Sequence, residues 1–300
     1  MKTHEDCLPC YLRQALRVAR ICSDDADEHQ RVVAAVHDLL ADLDLQETPP
    51  ANAIRIYAAI AEVTGCPDPY REVKRRSNEQ AMQVLPLLRK EVQRAKSPLA
   101  AAVRFAIAGN IIDYGAYAEI DAEAAFARCR DARLVVDHLD LLLTRVEGLK
   151  KNSRVLYLAD NCGEIVYDLL VLECLREYGF ALTVAVRGGP IINDALLEDA
   201  LDCGIDRFAT LVSSGVACPG TSLDHCSAEF LEHFHGADLV ISKGQGNFET
   251  LSEIERDIFF LLTVKCRVAA DHLAGLTGTA AALLPGRGEM VVYYSPYQPR

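Results

Sequence analysis

Along the first half of the chain apolar residues recur with a helical period, and along the second half they bunch into short continuous runs. LPCYLRQALRVARICS, HQRVVAAVHDLLADL, NAIRIYAAIAEVTG and SNEQAMQVLPLLRKEVQRA each place apolar side chains at i, i+3, i+4 and i+7, the pattern of a one-sided amphipathic helix. Breaks bearing Pro or Gly (DLQETPP, TGCPDPY, AKSP) separate them. SPLAAAVRFAIAGNIIDYG is apolar nearly all round, which predicts a centrally buried helix. From about Ser153 the runs RVLYLA (154–159), ALTVAV (181–186), FATLV (208–212), DLVIS (238–242), IFFLLTV (258–264) and MVVYY (290–294) predict strands. Amphipathic stretches such as EIVYDLLVLECLREYG and DHCSAEFLEHFHG lie between several of them. Continuous apolar strands alternating with helices predict an α/β fold. Its helical N-terminal region, residues 1–150, packs on a doubly wound, mainly parallel sheet with helices on both faces, residues 151–300.

In such a sheet ligands bind beyond the carboxyl ends of the strands, and there the chain is polar. The first strand is followed by Asp160, Asn161, Cys162, Gly163 and Glu164, and the second by Arg187, Gly188, Gly189, Pro190, Asn193 and Asp194. Ser213, Ser214 and Gly215 follow the third, and SKGQGNFE, with Lys243, Gly244, Gln245, Gly246, Asn247 and Glu249, the fourth. Lys265 and Cys266 follow the fifth. Asp160, Asn161 and Asp194 are hard oxygen donors suited to Mg²⁺ or Mn²⁺ rather than zinc. Arg187, Lys243 and the glycine-rich backbone around Ser213–Gly215 and Gly244–Gly246 supply what a phosphate needs. Plainer readings exist for each: Asp160 and Asn161 could cap the helix opening at Glu164, Asp194 could cap ALLEDAL, and GQG could be a turn. The gathering of all of them at one sheet edge favours a site for phosphoryl chemistry on a small phosphorylated metabolite. In that reading Asp160 orients the attacking water, Lys243 stabilises the transferring group, and Asn247 joins the substrate contacts.

Four familiar machineries do not fit. No GxxxxGK[ST] is present, and RGGPIIND and KGQGNFE lack the third glycine of a dinucleotide fingerprint. A phosphoaspartate mechanism needs an acid two residues after Asp160, where Cys162 stands. A methyltransferase would need a glycine-rich loop where this chain has DNCGE. The net charge of −12 argues against nucleic acid as partner. Residues 1–150 hold 20 basic and 23 acidic side chains, residues 151–300 only 11 and 20, so the acidity lies in the half that carries the candidate site. No apolar window suits a membrane span and MKTHEDCLPC has no apolar signal region, which points to a cytoplasmic chain. The eleven cysteines are scattered and read mostly as small buried hydrophobes rather than a disulfide framework.

LADNCGEI, RGGPIINDA, SSG followed by PGT, and SKGQGNFE, in that order, resemble the metal-dependent damage-control phosphatases, long catalogued as domain-of-unknown-function eighty-nine. CLPCYLRQA, with Cys7, Cys10 and Gln14, is similar to the prokaryotic CxxC-bearing branch of that family, and AGNIIDYG matches another of its signatures. The resemblance implies a helical region on an α/β domain and hydrolysis of phosphate esters with Mn²⁺, Co²⁺, Ni²⁺ or Mg²⁺. It carries ligand roles to Asp160, Asn161 and Asp194, a phosphate contact to Lys243, and a substrate among damaged or surplus phosphometabolites, sugar phosphates included. A non-catalytic sensor binding a phosphometabolite in the same crevice is the alternative from another functional class.

Asn110 and Asp113, three apart on an apolar helix, are either a substrate contact reaching the crevice or a hydrogen-bonded structural pair. Glu164 and Glu249 are candidates for proton transfer or ligand support, with helix-start acids as the rival account. Cys7 and Cys10 open a helix, where thiol pKa values can fall; redox switch, soft-metal site (with His4 and Cys266 as conceivable further ligands) and packing all stay open. His225, His233 and His235 share one short amphipathic stretch and read as a solvated face.

Overall fold

The polar gap after the first strand run falls where the chain reverses its direction of travel across the sheet. The computed structural model describes residues 1–109 and 131–296. Helices α1 (Cys7–Cys22), α2 (Ala26–Leu40), α3 (Pro49–Thr64), α4 (Arg71–Arg94) and α5 (Pro98–Ala108) come first. Strands β1 (Leu134–Asp137), β2 (Arg154–Leu158), β3 (Ala181–Val186), β4 (Thr210–Ser213), β5 (Leu239–Lys243), β6 (Ile258–Val264) and β7 (Glu289–Ser295) form one sheet of order β1-β7-β6-β5-β2-β3-β4. Strands β2 to β6 run parallel, β7 is antiparallel to β6, and β1 pairs parallel with β7. From β2 the chain moves outward to β3 and β4, then returns to β5 on the other side of β2. The crevice above β2 and its neighbours is therefore the switch point at which doubly wound sheets bind ligands.

Between the strands lie α6 (Leu139–Gly148), α7 (Glu164–Glu177), α8 (Leu197–Asp202), α9 (Ala228–Gly236), α10 (Gln245–Leu251) and α11 (Arg267–Thr277). Local chemistry explains several boundaries. Thr48 accepts a hydrogen bond from the Ala51 N–H, Pro49 and Pro50 fill the first turn of α3, and Gly65 ends it in the left-handed region at φ 61°. Asp25 and Ser227 cap α2 and α9 in the same manner.

Alternation along β2 sends Val155 and Tyr157 to one face of the sheet and Leu156 and Leu158 to the other. The first face is continuous with α4, α5 and α7 through Leu85, Leu88, Phe105, Ile107, Val166 and Leu172. The second packs under α9, α10 and α11 through Phe230, Phe234, Phe248 and Phe260. Helices α1 to α3 have a smaller core of their own around Tyr11, Val32, Val36, Ile56 and Ile60.

Two local expectations change. The helical region read as residues 1–150 is interrupted by β1, whose LVVD is too short to show any period and is extended by pairing with β7. The stretch opening with EIVYDLL, read as amphipathic, is buried continuously from Glu164 to Leu172, because α5 and α4 cover the side that faces away from the sheet. Leu172 is fully buried in that sandwich. Leu172→Ala is expected to lower stability by about 2–5 kcal/mol, read as a fall in the urea midpoint at unchanged slope.

Candidate active site

Two backbone hydrogen bonds build the centre of the site. The Cys162 N–H donates to the Asn193 carbonyl at 2.8 Å and the Ala195 N–H to the Asp160 carbonyl at 2.8 Å, zipping the loop after β2 to the loop after β3. Asn161 and Asp194 pair as an isolated antiparallel bridge. The bridge sets Asp160, Asn161 and Asp194 side by side, with exposures of 7, 8 and 2 %. The capping alternative for this stretch fails on geometry: Gly163, at φ 83°, is the residue before α7, and no side chain caps that helix locally. Asp194 likewise lies outside the cap of α8, which is Leu196.

Side chains tie the set together. The Asn161 amide nitrogen donates to Asp160 Oδ2 at 2.9 Å and to Glu164 Oε1 at 2.7 Å, so its carbonyl oxygen is the end that can serve a cation. Arg187 donates from Nε to Asp194 Oδ2 at 2.6 Å and from one terminal nitrogen to Asp160 Oδ1 at 3.2 Å. Its other terminal nitrogen donates to Asn247 Oδ1 at 2.9 Å. Gly244, at φ 82°, allows the closest approach: a Cβ there would lie 2.0 Å from Asp160 Oδ2. Only a residue without a side chain lets the Asp160 carboxylate rest on the end of β5.

Lys243 is 1 % exposed and donates to Asp168 Oδ1 at 2.7 Å and Glu164 Oε2 at 3.4 Å, with the Tyr157 hydroxyl also donating to Asp168 Oδ1 at 2.7 Å. Burial alone would lower the Lys243 ammonium; Asp168 and Glu164 outweigh it and hold it above its ordinary value. The carboxylates feel the opposite pressure. Burial, then Asp194 and Glu164, push Asp160 up to about 8 despite Arg187, and burial raises Asp194 as well. Among the described residues no three Cys, His, Asp or Glu side chains converge as a metal set; the third member of the Asp160, Asn161 and Asp194 group is an amide, not an acid.

A family model described as the damage-control phosphatase ARMT1-like domain matches residues 3–280. The chain belongs to that family. A damage-control phosphatase of Pyrococcus horikoshii is 35 % identical over 277 residues, covering 91 % of this chain and 94 % of its own. One of Archaeoglobus fulgidus is 35 % identical over 289 residues, covering 94 % and 99 %. An uncharacterized protein of Methanocaldococcus jannaschii is 32 % identical over 285 residues, covering 91 % and 92 %. A crystal structure of a family protein from P. horikoshii superposes with a TM-score of 0.86 at 31 % identity, covering 98 % of this chain and 99 % of that one. Its family name is the one the sequence motifs resemble.

Several other residues of this damage-control phosphatase family member sit differently from their sequence reading. Asn247, taken as a substrate contact, is fully buried: it donates to the Lys243 and Ala159 carbonyls at 2.8 and 3.3 Å and accepts from Arg187 and Thr221, so it orients Arg187. Three amides of the cradle expected at Ser213–Gly215 and Gly244–Gly246 are spent within the fold. Ser214 N–H donates to Val186 O, Gly215 N–H to Ser213 Oγ, and Gly244 N–H to Leu261 O. Asn110 and Asp113 lie outside the described residues. Cys7 is a neutral thiol, pushed up to about 11 by burial and the nearby Glu249 rather than lowered by its helix, and Cys10 accepts from Gln14 Nε2 at 3.3 Å. No helix among the described residues is long and apolar enough to cross a membrane.

Asp168 and Tyr157 have no place in the sequence reading of the site, and Thr221 enters it only as the last residue of PGT. Asp168 left a signal, an acid four residues after Glu164 and so on the same face of an otherwise apolar helix. The strain at Ile192, β-branched yet at φ 42°, left none. Its side chain packs against the core of α1 to α3, anchoring the loop that ends in Asp194.

Gly244→Ala is expected to displace the Asp160 carboxylate and reduce phosphatase turnover roughly 100-fold or more, with circular dichroism near wild type and melting lowered by the strain of alanine at φ 82°. A second outcome concerns Glu249, a buried acid that accepts from Gln245 Nε2 at 2.7 Å and is pushed by burial from its ordinary 4.5 to about 7. The folded chain keeps this proton up to about pH 7 whereas the unfolded chain releases it near 4.5, so stability falls as pH rises through that window. Glu249→Gln removes the slope, so urea titrations should find it gaining on wild type by up to roughly 3 kcal/mol at pH 8 and by nothing near pH 4.

Proposed function

We propose that this chain is a divalent-cation-dependent phosphatase that hydrolyses a small phosphorylated metabolite, a sugar phosphate or a damaged phosphometabolite, in the cytoplasm. One observation carries the reading. Four buried carboxylates, Asp160, Glu164, Asp168 and Asp194, share a crevice with two buried cations, Arg187 and Lys243. Burying unbalanced charge is costly, which is why the Asp160 carboxyl is pushed up to about 8; fully ionised, the set carries two negative charges in excess, as many as one divalent cation neutralises. The candidate donors are the oxygens of Asp160, Asn161 and Asp194, a hard set that fits Mg²⁺ or Mn²⁺, with Co²⁺ and Ni²⁺ the further cations that the family resemblance implies. Two of the relatives carry the name damage-control phosphatase, which supports the same reaction class.

When bound there, the cation supplies Lewis-acid polarisation of the phosphoryl oxygens and of water. The chain's own residues do the rest. Asp160 and Asp194 are held in place by the Arg187 fork, which Asn247 fixes from behind. Asp160 then orients the attacking water, and its carboxylate is the base closest to that role. Asn161 keeps its oxygen turned outward because Asp160 and Glu164 occupy its nitrogen. Lys243, reaching from the end of β5, neutralises charge on the transferring phosphoryl group as one of its carboxylate partners yields.

The test is phosphate release from p-nitrophenyl phosphate and a panel of sugar phosphates by the metal-stripped chain. Mg²⁺, Mn²⁺, Co²⁺ and Ni²⁺ are added singly, with Asp160→Ala beside wild type. Turnover is expected with at least one cation and is expected to drop roughly 100-fold or more in the variant. Folded protein that binds phosphate esters without turnover under every cation would make it a sensor instead.

A further inference from the structure

Helix α4 carries a buried stripe whose chemistry changes along its length. Lys74, Asn78, Ala81, Leu85, Leu88 and Val92 are all buried, spaced four and three apart on one face. The last four are apolar and join the core shared with α5 and α7. The first two are polar and just as inaccessible, at 1 and 7 % exposure. Lysine is among the residues least often buried, and burial is tolerated only when the charge is paired. Packing alone gives no reason for the switch; what the two residues touch does.

Asn78 Oδ1 accepts a hydrogen bond from the Gly163 N–H at 2.6 Å. Gly163 stands between the ligand loop and α7 in the left-handed turn that no local side chain caps, so the cap arrives from 85 residues away. On one side of that peptide is Asn161 and on the other Glu164, the pair joined through the Asn161 amide. Lys74 Nζ lies 2.9 Å from Asp68 and 3.4 Å from Asp199. Asp199 Oδ2 accepts in turn from the Leu196 N–H at 2.9 Å, two residues past Asp194. One face of one helix therefore grips both segments that carry the donor oxygens, each on the side away from the crevice.

We propose that Asn78 and Lys74 are positioning residues for the cation site, and that α4 sets its affinity by holding the Asp160–Glu164 and Asp194–Asp199 segments at a fixed separation. This rests on the metal-dependent reading above. Neither residue faces the donors directly; each acts through a peptide group or carboxylate of the segment it holds, as outer partners of metal ligands do elsewhere.

Mn²⁺ binding to the full chain, followed by the electron paramagnetic resonance signal of the free ion, tests it alongside hydrogen exchange of the metal-free protein. Asn78→Ala is expected to weaken Mn²⁺ binding roughly tenfold or more and to speed exchange of residues 160–165. Asn78→Asp, which keeps the acceptor, is expected to restore affinity to within a few-fold. Lys74→Met is expected to loosen residues 193–199 and weaken Mn²⁺ as well, and is an independent arm if Asn78→Ala does not fold. Leu88→Ala, a cavity in the apolar part of the same stripe, is expected to lower the melting temperature and leave Mn²⁺ affinity unchanged. Asn78→Ala binding within twofold of wild type, or Leu88→Ala losing as much affinity as Asn78→Ala, would overturn the proposal. A wild-type chain that binds neither Mn²⁺ by this signal nor Mg²⁺, Co²⁺ or Ni²⁺ by calorimetry would sink the metal-dependent reading, while unchanged exchange at residues 160–165 in Asn78→Ala would sink the clamp by itself.

Discussion

Everything chemical in this protein depends on a two-bond junction between neighbouring strand exits. The Asn161–Asp194 bridge is not part of the sheet proper, yet it forces acidic groups from two loops into contact before any ligand is present. Like charges held that closely repel, and the surrounding structure answers the repulsion in three ways. The guanidinium of Arg187 spans Asp160 and Asp194, the Asn161 nitrogen sits between Asp160 and Glu164, and Lys243 compensates Glu164 and Asp168 one layer deeper. None of the three neutralises the whole set. The arrangement is electrostatically incomplete by construction: four buried carboxylates stand against two buried cations.

Glycine and asparagine do the steric part of that work. Gly244 and Gly188 allow the strand exits to pack against each other: a Cβ at Gly188 would lie 2.2 Å from the Val216 backbone nitrogen. Asn247 satisfies four partners at once and so locks the exit of β5, the exit of β2 and the Arg187 side chain into one unit. A small residue removed from such a place costs more than its size suggests, because several longer side chains take their geometry from it.

What could be read from sequence divides along physical lines. Apolar runs such as IFFLLTV and ALTVAV match β6 and β3 residue for residue, because a strand buried on both faces has no choice of composition. Asp160, Asn161, Asp194, Arg187 and Lys243 were legible as a group because a parallel sheet delivers all its strand ends to one edge. Strand β1 was not, since four residues carry no period. Lys74 and Asn78 sit in REVKRRSNEQ, where they look like any other solvated positions of a charged helix; their partners are up to 125 residues away. Three of the glycine-rich amides, at Ser214, Gly215 and Gly244, were misjudged for a related reason. A sequence displays every N–H, but only the folded chain shows which of them have already been given away.

The shared core of α4, α5 and α7 also has a consequence in time. Helix α5 is apolar except at Arg104, and its cover, α7 and the β2 strand, is encoded roughly 60 residues later. At ribosomal speeds that is an interval of about 3–12 seconds. Helices α1 to α3 close on one another within the first 64 residues, around contacts that are local in the chain. During synthesis, then, a small finished bundle precedes a long, greasy, unfinished one. The nascent chain of this protein presents a window for chaperone capture or misassociation that its mature surface does not advertise.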